Sequence, residues 1–201
     1  PLTPADDPAI RRGAPAARPP ATTALARLTP PPLIEDLTHI NKVSQNLHAE
    51  LMLRRIALKS GSGSIADGQV AVRAMLAEAG VPRVAFDFAD GSGMSSYNRV
   101  TPRGAVTFLR WVSAQPWGTA WRATLPVGGE GTLTRRFAGT ALDHRLFAKT
   151  GTLNATNALS GYMIAKSGHT LTMAFYANDV PEGASATRAM DAALLLIASQ
   201  N

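Results

Sequence analysis

Apolar residues recur at Leu37, Ile40, Val43, Leu47, Leu51 and Leu58, at steps of three, four or seven, which predicts one amphipathic helix running from Leu37 to near Lys59. "SGSGS" breaks it; with no Gly-Lys-Ser/Thr after it, this stretch is a connector and offers no phosphate-cradling loop. A second helix is expected over Ala66–Ala79, closed by Gly80 and Pro82. "VAFDFADGSG" alternates briefly and then turns, and Pro102 at a first helical position opens a third helix, "PRGAVTFLRWVSA". Residues 117 to 147 read as mixed short pieces. "ALSGYMIAK" and "TLTMAFYAN", separated by "SGH", have hairpin spacing with Gly168 at the turn, and "ATRAMDAALLLIAS" is a terminal helix. Helices followed by a hairpin under a closing helix imply an α+β layered fold with an antiparallel sheet flanked by helices.

The first 36 residues hold nine of the fourteen prolines and show no sustained period, which marks residues 1 to 32 as a proline-rich linker or the end of an inserted region. Charges cancel within those 36 residues, so the net charge of +6 belongs to residues 37 to 201. Such a balance, with pI near 10.3, favours an anionic substrate or surface. It does not favour nucleic acid, because no basic run with interleaved aromatics accompanies the charge. Zero cysteines exclude disulfides, thiolate metal sites and a cysteine nucleophile. No apolar run approaches the roughly 18 residues needed to span a bilayer, and the start "PLTPADDPAI" has no signal pattern. His39, His48, His144 and His169 lack metal-ligand spacing, so neither a metal nor another cofactor is expected. Trp111, Trp117 and Trp121 suit core and rim packing.

Two short stretches carry chemistry. In "FAKTGTLNATN", Lys149 is expected at the start of a strand that leads into Gly151, where a ligand backbone can approach closely, with the hydroxyls of Thr150 and Thr152 beside a fixed cation. Such a group suits a carboxylate. In "NKVSQNLHAE", Ser44 and Asn46 occupy positions where a helix would be better served by Ala or Leu. Ser-x-Asn followed about a hundred residues later by Lys-Thr-Gly is a combination with a known mechanism.

On these triplets, and on "INKVSQNLHAELMLR", "DGSGMSSYNRVTP", "LPVGGEGTLTRRFAGT" and "FAKTGTLNATNALSGYM" in that order, the chain resembles the class C low-molecular-mass penicillin-binding proteins, serine D-alanyl-D-alanine carboxypeptidases and endopeptidases. The resemblance covers roughly residues 30 to 200. It implies that 33–201 form the C-terminal half of a penicillin-binding protein/β-lactamase-like transpeptidase domain, with three strands of a five-stranded sheet and an exposed apolar strand edge. It implies that Ser44 relays a proton toward the leaving amine, that the Asn46 amide holds the peptide being cut, and that Lys149 and Thr150 grip the carboxylate of a D-Ala-D-Ala stem peptide. Thr152 would give its backbone N–H to the oxyanion hole, with Gly151 between them; Lys42 would add positive potential if it faces the cleft, and Gln45 would point away from the cleft. Asp90 and Ser92 of "DGSG" are expected to build a turn and are left out of the catalytic set.

No Ser in this chain has Lys three residues later, so the family's Ser-x-x-Lys nucleophile, its helix and the strands before it are expected on a missing N-terminal half, and the chain alone is expected to be inactive. The implied partners are peptidoglycan stem peptides, β-lactam inhibitors and that missing half, and the implied location is extracytoplasmic. Two functions stay open at this point: half of a peptidase acting on peptidoglycan through an acyl-enzyme, or a non-catalytic peptidoglycan-binding protein that keeps Lys149 and Thr150 as a carboxylate clamp.

Overall fold

The computed structural model describes Ala26 and residues 28–201. The proline-rich stretch expected as a linker lies almost wholly outside the described residues. Pro32–Asn201 contains helices α1 (Leu33–Val43), α2 (Asn46–Ala57) and α3 (Ile65–Glu78), then a small ribbon of β1 (Phe86–Asp87) and β2 (Arg99–Val100). There follow α4 (Pro102–Ser113), α5 (Gly118–Ala123), an antiparallel sheet of β3 (Leu146–Leu153), β4 (Thr156–Ile164) and β5 (Thr170–Ala177), and α6 (Ala186–Gln200).

The sheet runs in the order β3-β4-β5, and its two faces are covered differently. Leu146, Ala148, Leu159, Met163 and Met173 point to one face and pack with Met190, Leu194 and Ala198 of α6. That spacing on α6 is four residues per step, so one helical stripe meets one set of alternate strand positions. On the opposite face Tyr162 and Phe147 meet Leu109 of α4, Leu125 and Trp121. The β4–β5 hairpin turns at Gly168, whose φ of 89° is open to glycine at no steric cost. A third cluster of Leu76, Ala79, Val81, Ala85 and Phe86 closes α3 onto the ribbon.

Three expectations need correction. The single helix over Leu37–Lys59 is two helices, because Ser44 adopts a left-handed conformation (φ 59°, ψ 55°) and Gln45 is extended. The apolar stripe drawn through that helix is not the buried one: α2 buries Leu53 and Ala57, while Val43, Leu47, Leu51 and Leu58 are exposed. Lys149 is the fourth residue of β3 and not its first, since Leu146 and Ala148 gain burial against α6 and Phe147 pairs with Val127 upstream of it. The remaining helices start and stop within a residue or so of expectation. Ser64 and Thr101 cap α3 and α4 by accepting from the N–H groups of Asp67 and Gly104, and Pro102 opens α4. β5 lies at one end of the three-stranded sheet, its residues mostly half-buried.

Tyr162 joins the sheet to the helices. Its ring is 2% exposed, and its hydroxyl donates to the carbonyl of Leu109 at 2.6 Å. Burial pushes the phenol up to about 12, with Arg122 pulling weakly the other way. Removing the hydroxyl leaves the Leu109 carbonyl without this donor. Tyr162→Phe is therefore expected to cost about 1–2 kcal/mol in denaturant unfolding at neutral pH. A folded value above the ordinary 10.0 means that the phenol's contribution is complete below pH 10 and is lost as pH rises toward about 12. This alkaline loss should be missing from the unfolding profile of the Phe variant.

Candidate active site

Ser44 owes its position to backbone geometry. As the C-cap of α1 its N–H donates to the Ile40 carbonyl, and Gln45 N–H donates to the same oxygen at 3.1 Å, which ends the helix in a tight left-handed turn. Gln45 is half-buried, and its Oε1 accepts from Leu47 N at 3.0 Å, capping α2. The turn is held on its other side by Asn41, whose Nδ2 donates to Thr124 Oγ1 at 2.7 Å; Thr124, fully buried, donates in turn to the Trp121 carbonyl. A serine in the left-handed region is strained by about 1–2 kcal/mol, so its turn is over-determined by neighbours.

The structure brings Ser44 and Lys149 together. Lys149 Nζ donates to Ser44 Oγ at 2.9 Å and to the Thr150 carbonyl at 2.8 Å. Burial lowers the lysine from its usual 10.5. Because the ammonium donates into a lone pair of Ser44 Oγ, the hydrogen of Ser44 is directed elsewhere, and the adjacent positive charge makes it easier to give up. The arrangement can therefore deliver a proton into the space beside it.

β3 supplies the other half of the geometry. Ala148 N donates to Pro126 O and Gly128 N donates to Leu146 O, so the backbone groups of 146 and 148 face away from β4. Antiparallel pairing alternates, and the register with β4 continues unbroken to Leu153, which turns the N–H and C=O of Thr150 and Thr152 to that same outer edge. Among the described residues, no backbone outside the sheet accepts from Thr150 N or Thr152 N. A strand edge thus lies open from Thr150 to Thr152, next to the Ser44–Lys149 pair. Gly151 is exposed and its φ is ordinary; a Cβ there would meet only Ala158 Cβ at 3.4 Å, so its absence keeps the strand surface flat toward solvent. Asn46, first residue of α2, is exposed two positions from Ser44.

Lys42 has a partner. Its ammonium lies 3.7 Å from Glu130, which offsets its charge. "DGSG" builds a turn as expected: Asp90 accepts from Gly93 N, Ser95 N and Asn98 Nδ2 at 2.7–2.9 Å. Burial pushes the Asp90 carboxyl up, but the donors from Asn98, Gly93 and Ser95 outweigh it and hold it below its usual value. Glu50 of α2 accepts from Gly91 N at 2.7 Å and so ties this turn to the helix that begins at Asn46. Thr132, within the stretch "LPVGGEGTLTRRFAGT", carries no sequence signal of a role, yet its Oγ1 is 2.9 Å from Thr150 Oγ1. Among the described residues no group of three His, Cys, Asp or Glu side chains could hold a metal ion.

Residues 13–200 match the D-Ala-D-Ala carboxypeptidase 3 (S13) family. The chain belongs to that family. A D-alanyl-D-alanine carboxypeptidase of an Actinomadura species is 39% identical over 146 residues, covering 69% of this chain and 27% of that protein. Carboxypeptidase DacB of Mycolicibacterium smegmatis is 36% identical over 184 residues, covering 86% of this chain and 39% of the relative. Penicillin binding protein 4 (dacB) from Haemophilus influenzae, solved in complex with a β-lactam, superposes with a TM-score of 0.69 at 25% identity, over 83% of this chain and 40% of that one. A class A β-lactamase from Bacteroides cellulosilyticus, at 18% identity and a TM-score of 0.63, shares the fold. The chain thus groups with the class C penicillin-binding proteins and has an α+β, β-lactamase-like fold, and it spans about 27–40% of the length of these relatives of its own family.

Two measurements probe the geometry. Glycine relieves the left-handed strain at position 44 and alanine does not, so Ser44→Gly should unfold at a denaturant concentration corresponding to about 1 kcal/mol more stability than Ser44→Ala. For Lys149 the folded value lies below the unfolded one, so between the two the unfolded chain holds a proton that the folded chain does not. Stability of the wild type relative to Lys149→Met should therefore rise as pH climbs toward 10.5, and a falling difference would contradict the burial argument.

Proposed function

We propose that this chain supplies the substrate-gripping and proton-delivering part of a serine-type D-alanyl-D-alanine peptidase acting on peptidoglycan stem peptides. The observation that carries the reading is the 2.9 Å hydrogen bond from Lys149 to Ser44, lying beside the open edge of β3. A peptide ending in D-Ala-D-Ala would lie along that edge as an added strand, with main-chain hydrogen bonds fixing its direction. Lys149 and the Thr150 hydroxyl would take its terminal carboxylate, an ionic acceptor that strengthens both hydrogen bonds. Asn46 would hold the scissile peptide through its amide. Thr152 N–H, aimed from the free edge, would stabilise the oxyanion as the carbonyl becomes tetrahedral. Ser44 would pass a proton to the leaving amine, with Lys149 stabilising the serine as it gives the proton up.

The acyl-enzyme needs a nucleophile, and no Ser-x-x-Lys occurs in this chain, so the serine and its lysine come from a segment outside it. On this reading residues 33–201 are the C-terminal half of the peptidase domain and 1–32 the end of an inserted region, and the chain by itself does not turn over substrate. Carboxypeptidase action on the terminal D-Ala is the main activity, and endopeptidase action on a cross-link uses the same groups. β-Lactams inhibit by presenting an amide and a carboxylate at the same spacing; the solved relative from Haemophilus carries one. The substrate lies outside the cytoplasmic membrane, which makes the location extracytoplasmic, periplasmic where an outer membrane is present.

The test is intact mass spectrometry after incubation with benzylpenicillin, using this chain and the longest natural polypeptide that contains it. An adduct is expected on the polypeptide bearing Ser-x-x-Lys and none on this chain. In that polypeptide Ser44→Ala and Lys149→Ala should each lower acylation and D-Ala release by at least about 100-fold while leaving the circular dichroism spectrum unchanged. Near-normal rates in both variants would remove the assigned roles, and carboxylate-selective binding without any acylation would leave a peptidoglycan-binding module.

A further inference from the structure

The stretch "LPVGGEGTLTRRFAGT" contains three threonines, and two of them use their hydroxyls locally. Thr134 Oγ1 donates to the Gly131 carbonyl at 2.6 Å and Thr140 Oγ1 to the Phe137 carbonyl at 2.6 Å, each three residues back. Thr132 is different: its Oγ1 accepts a hydrogen bond from Thr150 Oγ1 at 2.9 Å, across 18 residues of chain. Nothing in the proposed mechanism uses it.

Its position is fixed from both sides. Leu133, the next residue, is fully buried among Phe137, Leu142 and Leu146 in the core under the sheet. Glu130, two residues before, pairs with Lys42 at 3.7 Å. Between them Gly131 has φ +56°, and a Cβ on it would come within 3.0 Å of the Lys42 carbonyl, so the 3₁₀ turn Gly131–Leu133 lies against the end of α1. Thr132 is thereby held next to Thr150, yet its own side chain is exposed and faces a concavity lined by Gly131, Thr134, Arg135 and Arg136. It has room to rotate its hydrogen.

A hydroxyl has one hydrogen to give and two lone pairs to fill. Without ligand, Thr150 gives its hydrogen to Thr132. Once a carboxylate arrives, Thr150 must turn that hydrogen toward the anion, and the bond to Thr132 survives only if Thr132 becomes the donor. A hydroxyl that accepts one hydrogen bond is polarised into a stronger donor for the next. We propose that Thr132 is a positioning residue of the carboxylate clamp, acting through Thr150: the two hydroxyls reverse the direction of their hydrogen bond when the substrate's terminal carboxylate binds, so that Thr150 is held in place and strengthened as a donor.

The inference rests on the clamp described under Proposed function, and the test separates the two. Affinities of Nα-acetyl-D-alanyl-D-alanine and of its C-terminal amide are measured by calorimetry on the longest natural polypeptide that contains this chain, for wild type, Thr132→Val, Thr132→Ser and Thr150→Val. The wild type should prefer the acid, Thr132→Val should weaken acid binding by about fivefold and amide binding by less than about twofold, and Thr132→Ser should restore the acid. Thr150→Val should abolish most of the preference. A wild type that does not distinguish acid from amide overturns the clamp and this inference with it. A wild-type preference that Thr132→Val leaves intact, or an equal loss for acid and amide, overturns the inference alone.

Discussion

The hydrogen bond from Lys149 to Ser44 joins two parts of the chain that are 105 residues apart, and the site exists only while both are held. One end is a left-handed serine between two helices; the other is a lysine in the middle of a strand. Neither end is placed by the hydrogen bond, which is worth about 1–3 kcal/mol at most. The placement comes from burial: β3 is pinned by Leu146 and Ala148 against α6, and the helical turn by the bond from Asn41 to the buried Thr124. The polar pair is the meeting point of two apolar anchors.

That division explains why the lysine can be useful. A surface lysine has a mobile, fully hydrated ammonium and grips an anion weakly, because solvent competes and rotamer freedom is lost on binding. Lys149 has already lost much of its water and is held by two oxygens, Ser44 Oγ and the Thr150 carbonyl. Its charge is costly to bury, as its lowered pKa reflects, and the incoming carboxylate proposed for it would relieve that cost. Membership of the D-Ala-D-Ala carboxypeptidase 3 (S13) family gives this arrangement its chemical context. The open edge of β3 gives it a direction in which a substrate can lie.

The same anchors organise the surroundings. Glu50 ties the Asp90 turn to α2, and the 3₁₀ turn carrying Thr132 lies between a buried leucine and an ion pair. Residues that touch no ligand thus set the geometry of those positioned to touch one. Gln45 belongs with them, since by capping α2 it helps separate Ser44 from the helix that follows.

The sequence by itself determined the class of fold, most helix limits, the hairpin and the pairing of Ser-x-Asn with Lys-Thr-Gly. Those features follow from local signals: capping residues, Pro102 at a helix start, Gly168 at a turn, and alternation along β4 and β5. It misread the region around the site. A three-to-four residue period carries straight through Ser44, and its residue type does not mark the left-handed turn there, whose backbone bonds to Ile40 are backed by a contact from Asn41 to Thr124, far along the chain. Exposure of Leu47 and Leu51 escaped it for a related reason: periodicity finds an apolar stripe but cannot say which stripe has a partner. The position of Lys149 within β3, the offset of Lys42 by Glu130 and the contact between Thr132 and Thr150 were decided only by tertiary structure, since each depends on segments that meet in space through burial and not through sequence spacing.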